Sequence, residues 1–165
     1  MAGQIVNQAQ TATPGTPVTV LHVNTTSQAT TGTSEEVLAT YTLPANTLSA
    51  NGKSLRLTVI AATASNANSK TLKIRLTNTA GAQLSSVATS GSGYDLFANL
   101  NIVRTGASTA YAFGPAFAFN GTAQIAAAYA ISATWSGDVV IVVTGTTPTS
   151  AGDITFKCLL VEALN

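Results

Sequence analysis

Apolar and polar positions alternate with a period of two along most of this chain. From Glu35 to Leu43, Val37, Ala39, Tyr41 and Leu43 interleave with Glu36, Leu38, Thr40 and Thr42. Leu55, Leu57, Val59 and Ala61 alternate with Arg56, Thr58 and Ile60, and Leu72, Ile74 and Leu76 with Lys73, Arg75 and Thr77. Successive side chains of a strand point to opposite faces, so each run predicts a strand with one core-facing side. Ile154–Ala163 alternates too, and further strands are expected at Pro17–Val23, Gln83–Ser90, Tyr94–Arg104, Thr109–Phe119, Gln124–Trp135 and Asp138–Gly145. Turn signals separate them: Pro44, Asn51-Gly52, Ser65–Ser69, Asn78–Gly81, Ser90–Gly93, Thr105-Gly106-Ala107 and Asn120-Gly121. Gln124–Trp135 is Ala-rich and helix-prone by propensity, but its flanking turns fit a strand rhythm. The pattern predicts an all-β, antiparallel β-sandwich or jelly roll of about 8–10 strands. Helix is expected only as a short turn within Ala45–Ala50. The runs at Leu55–Ala61 and Leu72–Leu76 read as an antiparallel hairpin, with Arg56, Lys73 and Arg75 sharing its outer face.

Residues 1–16 break this rhythm. The segment is rich in Gln, Ala and Thr and closes on Pro14-Gly15. It reads as an extended N-terminal arm preceding one β-sandwich domain over 17–165. Ile5 and Val6 offer a small apolar anchor, and Gln4, Asn7 and Gln8 offer hydrogen bonds, so these five are the candidate interaction residues. The arm has neither the basic start nor the apolar stretch of a signal peptide. No apolar run is long enough to span a bilayer as a helix. These readings predict cytoplasmic synthesis and no membrane partner.

Composition sharpens the picture of the surface. Only 8% of residues are charged, against roughly a quarter in an ordinary globular protein. Thr, Ser and Asn supply the polar positions instead. The net charge is +1, and no basic patch is present to neutralise phosphates, so nucleic acid is not an expected partner. So little charge gives copies little mutual repulsion. A homo-oligomer, with part of the surface covered between subunits, is the expected state.

Residues suited to catalysis are few. His22 is the only histidine and Cys158 the only cysteine. A nucleophilic site needs an oriented base, and a zinc site three or four ligands. His22 therefore reads as a hydrogen-bonded structural residue and Cys158 as a buried small hydrophobe. Glu35 and Glu36 point to opposite faces of a strand and are not a ready carboxylate pair. No acidic loop has calcium-binding spacing. Gly91-Ser92-Gly93-Tyr94 lacks the lysine and following helix of a phosphate loop. Tyr111, Phe113, Phe117 and Phe119 alternate, which suits a core face better than a sugar-stacking platform. Trp135 is expected to be buried rather than exposed at an interface. Asn24-Thr25-Thr26 and Asn120-Gly121-Thr122 match the glycosylation sequon by chance. No cofactor, metal or catalytic residue is expected.

The phrases YTLPANTLSANGKSLRL and ASNANSKTLKIRL, within Ser34 to Leu76, resemble a segment recurrent in small structural proteins of tailed bacteriophages. Asn101–Ser108 gives a softer echo. The resemblance implies a β-rich, often jelly-roll-like part of a virion surface, made in the host cytoplasm, and transfers no catalytic residue. In such relatives the domain serves as a capsid decoration or cement protein, or as part of a tail fibre or spike that binds a host receptor or glycan. The chain has neither heptads nor repeats of a fibre shaft. A cement role on the capsid surface is therefore expected, with the major capsid protein and the chain itself, as a homotrimer, as partners.

Overall fold

The structure is a computed structural model that describes residues 18–91, 93–119 and 123–164. Among the described residues eleven strands follow one another: β1 Thr19–Asn24, β2 Gln28–Ala29, β3 Glu35–Leu43, β4 Ser54–Thr63, β5 Lys70–Leu76, β6 Gln83–Thr89, β7 Asp95–Arg104, β8 Thr109–Ala118, β9 Ala123–Ser132, β10 Val139–Thr146 and β11 Ile154–Leu164. The large sheet has the order β1-β11-β4-β7-β8-β9, with β2 also on β11, and the small sheet the order β3-β10-β5-β6. Every pairing is antiparallel.

The pairings are nested. β1 and β2 pair with β11, β3 with β10, β4 with β7, and β5 with β6. A long hairpin folded back on itself and rolled into two sheets has this order, which is the jelly-roll form of a β-sandwich. The β8–β9 hairpin is inserted between β7 and β10 and widens the large sheet beyond β7. β6 packs across it.

The predicted hairpin of the Leu55 and Leu72 runs does not form, because β4 lies in the large sheet and β5 in the small one. Each run keeps its buried face, Leu55, Leu57, Val59 and Ala61 opposite Leu72, Ile74 and Leu76. The chain between them crosses from sheet to sheet. Arg56 and the pair Lys73/Arg75 therefore stand on opposite outer faces of the sandwich. The Ala45–Ala50 segment is a turn without helix, in which Asn46 takes φ 62°. Asp138 fixes it by accepting the Ala45 N–H at 2.8 Å.

Strict alternation fails where bulges add a residue to one strand. Opposite Val143 and Thr144, β3 presents Ala39 and then Val37, leaving Leu38 extra. Leu38 and Ala39 are both buried and Val37 turns outward, contrary to the uniform phase expected over Val37–Leu43. On β11 the extra residue is Lys157. Phe156, Leu159 and Val161 face the core, and Cys158 is left half-buried opposite Ile60 rather than fully enclosed. A bulge re-aims side chains at the cost of one unpaired residue.

The polar Ser65–Ser69 turn is held by a lysine that the sequence pattern places on a strand. Lys70 is fully buried, and its Nζ donates to the carbonyl oxygens of Asn66 (2.8 Å), Asn68 (2.9 Å) and Gly91 (3.3 Å). The Asn66 and Asn68 side-chain amides donate to the two oxygens of Asp153 at 2.7 and 2.8 Å. These two amide bonds, with the charge of Lys70 nearby, hold the Asp153 carboxyl below its usual range. An ammonium can be buried only where such acceptors replace water.

Candidate interaction face

β8 presents the reverse of the expected arrangement. Its alternation is regular, but the small residues point inward. Ala110, Ala112, Ala116 and Ala118 are buried, while Tyr111, Phe113 and Phe119 are 49%, 42% and 53% exposed. The inward face of β8 meets β6 of the small sheet, and alanines let the two layers approach closely. The aromatic rings are displaced to the outside. Periodicity reveals that two faces exist; it does not say which one is covered.

Around these rings the outer face of the large sheet mixes apolar and polar positions, with Phe97 and Val103 beside Asn99 and Asn101 on β7, and Ile60 beside Arg56 and Thr58 on β4. Phe97 on β7 lies directly opposite Phe117 on β8. Phe97 and Phe117 have ring centroids 5.0 Å apart, and Phe119 stands edge-on to Phe117 at 5.0 Å and to Phe97 at 6.3 Å. Phe113 faces Asn101, and Tyr111 faces Val103. Gly114 separates the two aromatic pairs. Its φ is 147°, and a Cβ there would meet the Asn99 carbonyl oxygen at 2.1 Å, so only glycine lets β8 lie this close to β7.

Across β4, β11 and β1 the same face carries Ile60, Leu160, Val20 and Val23, the last two more than half exposed. Its central charges pair with each other: Arg56 Nε meets Glu162 Oε2 at 2.7 Å. The hydrogen bond from Arg56 holds the Glu162 carboxyl low, and the same bond raises Arg56. Asn99 adds one polar link, donating to Thr58 Oγ1 at 3.2 Å.

The remaining candidates are dispersed. His22 lies on the inner side of β1, stacked on Tyr41 with centroids 4.6 Å apart. Its Nε2 is buried without a hydrogen-bond partner among the described residues, so stacking rather than the expected hydrogen bond at that nitrogen holds the ring. Trp135 is buried, as its context predicts. Glu35 is bonded to Lys73, Arg75 and Thr144, whereas Glu36 accepts from the Thr31 N–H and hydroxyl. Among the described residues no three His, Cys, Asp or Glu side chains gather as a metal site. Gln4, Ile5, Val6, Asn7 and Gln8 lie outside the described residues, as do Ser92 and the Asn120-Gly121-Thr122 sequon. No helix among the described residues is long and apolar enough to cross a membrane.

No protein-family model matches the chain, and no curated protein does. Among solved structures, a similar one is the CBM2 module of the evolved Dit of Lactobacillus casei BL23 phage J-1. It is 13% identical, with a TM-score of 0.39, over 76% of this chain and 69% of that one.

Proposed function

We propose that this chain is a non-enzymatic structural protein of a phage virion, a decoration protein that docks through the outer face of its large sheet. The observation that carries the reading is the set of exposed side chains Tyr111, Phe113 and Phe119 towards one edge of this face and Val20 and Val23 at the other, flanking a self-neutralised Arg56–Glu162 pair. Exposed apolar side chains grouped on one face of a soluble protein mark a surface that becomes covered. Aromatic rings with few charges are what the buried centre of a protein–protein contact contains. The expected assembly is a homotrimer seated on the major capsid protein at the virion surface. Binding only the assembled shell would stabilise it by mass action, with no reaction required. The phage setting comes from the resemblance of the Ser34–Leu76 segment.

A second reading, a tail fibre or spike module that binds a host receptor or glycan, takes support from the same rings, since exposed aromatics also stack on sugars. The face is a sheet surface rather than a cleft, which favours a protein contact.

The variant Phe113→Ser/Phe117→Ser/Phe119→Ser separates these outcomes. The decoration reading expects a folded protein that loses trimer in sedimentation at micromolar concentration and no longer occupies expanded shells. Unchanged assembly and full shell occupancy would refute it. Unchanged assembly with lost adsorption to host cells would favour the receptor reading.

A further inference from the structure

A second site lies at one end of the sandwich, beyond the Tyr111 end of the aromatic face. A pocket of about 310 Å³ opens between the β5–β6 turn and the β9–β10 connection. That volume is near the lower limit of small-molecule sites, about 300–1,000 Å³. Its floor is apolar, with Leu76 and Val139 buried beneath it, and its rim carries Thr77, Ser132, Thr134 and Asp138, all exposed. Thr109 pairs with Ser132 at this end of β8, and Phe117 with Ala123 at the other. Eight residues of strand, about 27 Å, separate the pocket from the phenylalanine trio.

Two further observations set this rim apart. Thr77 has φ 79°, and the Asn78 N–H donates to the Leu76 carbonyl at 3.0 Å, which closes a γ-turn of the rare positive-φ kind. A β-branched residue is an outlier there. The Thr77 N–H is tied to the Val140 carbonyl at 2.8 Å, so the fold holds the strained residue at the pocket mouth. Backbone strain of this kind concentrates at ligand-binding positions. Asp138, in turn, accepts one hydrogen bond from the described residues, at Oδ1 from the Ala45 N–H, and its side chain is exposed at the rim.

We propose that this pocket binds a neutral saccharide unit. Three hydroxyls and one carboxylate oxygen around an apolar floor match the hydroxyl groups and C–H face of a pyranose ring. Among the described residues no Lys, Arg or His lines the pocket, which disfavours an anionic ligand. One carboxylate falls short of the six to eight oxygens a calcium ion takes. The site adjoins the Tyr111 end of the aromatic face, far from the phenylalanine trio, and would give a decorated particle a weak, multivalent hold on a glycan-coated surface.

The test is saturation-transfer NMR on the full chain with methyl glycosides of glucose, galactose, rhamnose and N-acetylglucosamine, beside methylammonium as a competing class. At least one glycoside is expected to receive transfer with a millimolar Kd. Asp138→Asn retains an oxygen for the Ala45 N–H and should weaken that binding at least tenfold. Ser132→Ala/Thr134→Val should weaken it severalfold, and Thr149→Ala, in the β10–β11 connection at the far end of β10, should leave it unchanged. Absence of transfer from every glycoside, equal binding by Asp138→Asn, or transfer to methylammonium alone would each overturn the proposal.

Discussion

On the outer face of the small sheet, one carboxylate gathers three donors. On the outer face of the large sheet, one ion pair stands among rings and aliphatic side chains. Glu35 receives Arg75 Nε at 2.7 Å, Lys73 Nζ at 2.9 Å and Thr144 Oγ1 at 2.6 Å. The pairing leaves a net positive charge, and exposed Thr40 and Thr42 extend the hydroxyl-rich surface. Arg56 and Glu162 cancel each other, and the neighbouring strands add Phe, Tyr, Val and Leu. One face carries a net charge and exposed hydroxyls; the other carries a cancelled pair beside exposed rings. The low overall charge of the chain is therefore unevenly distributed, and the uncharged part is a surface rather than only a core.

The contrast depends on the phase of β8, and reversing that phase should give the largest effect. Ala112→Phe places a ring where the side chain is fully buried against the small sheet. Overpacking of this kind costs about 1–3 kcal/mol and sometimes more, and the monomer should lose at least that much in urea denaturation. Phe113→Ala, one residue along, should cost under about 1 kcal/mol, as an exposed position does. The opposite ranking would mean that the rings form the core.

Glu35→Gln attacks the wetter face and should cost about 1–3 kcal/mol, because it leaves two partly buried cations short of their counter-charge. Acid should act in the same direction. Partial burial by itself would raise the Glu35 carboxyl, but hydrogen bonds from Arg75, Thr144 and Lys73 outweigh it and hold the value at about 2, against an ordinary 4.5. A carboxyl lowered by folding contributes stability that is complete above its unfolded pKa and is lost as pH falls through its folded one. The loss from this group should run from about pH 4.5 down to about pH 2. With solvent screening it should amount to about 1–2 kcal/mol. Glu35→Gln should remove this part of the pH dependence, and a midpoint that still fell equally between pH 5 and 3 would assign it to other acids.

Much of this was legible from residue order alone. Period-two runs located the strands, and Pro44, Asn51-Gly52 and Asn78–Gly81 located turns. Three features lay beyond that signal. Which sheet a strand joins depends on contacts far along the chain, so the Leu55 and Leu72 runs looked like neighbours although they face each other across the core. A bulge shifts the phase by one residue without a sequence mark, as at Leu38 and Lys157. On β8 the alternation named the aromatic set, but the choice between inside and outside was made by how closely β6 approaches. Lys70 was hidden for a related reason. Its carbonyl partners are backbone atoms of Asn66, Asn68 and Gly91, and backbone positions carry no residue code. The pocket rim combines Thr77, in the β5–β6 turn, with Ser132 at the end of β9 and Asp138 in the β9–β10 connection, which no local motif joins.

The smallest effect on the monomer should come from the Arg56–Glu162 pair, and it tests the comparison most finely. The Arg56 side chain is 39% exposed and that of Glu162 only 11%, so the pair is a surface pair on one side alone. Arg56→Gln should therefore lower the denaturant midpoint of the monomer only slightly. Association should respond differently. If the large-sheet face is covered in the assembled protein, the pair is desolvated there, and removing one partner strands the other charge in a dry contact. Arg56→Gln and Glu162→Gln should each weaken self-association by tenfold or more in sedimentation. The double variant Arg56→Met/Glu162→Met should restore it, because a well-packed apolar pair replaces a buried ion pair at little or no cost. That pattern, with single variants defective and the double variant intact, requires the pair to lie inside a contact. If all three variants associate like the parent chain, the Arg56–Glu162 pair lies outside the contact, which must then be elsewhere on the sandwich.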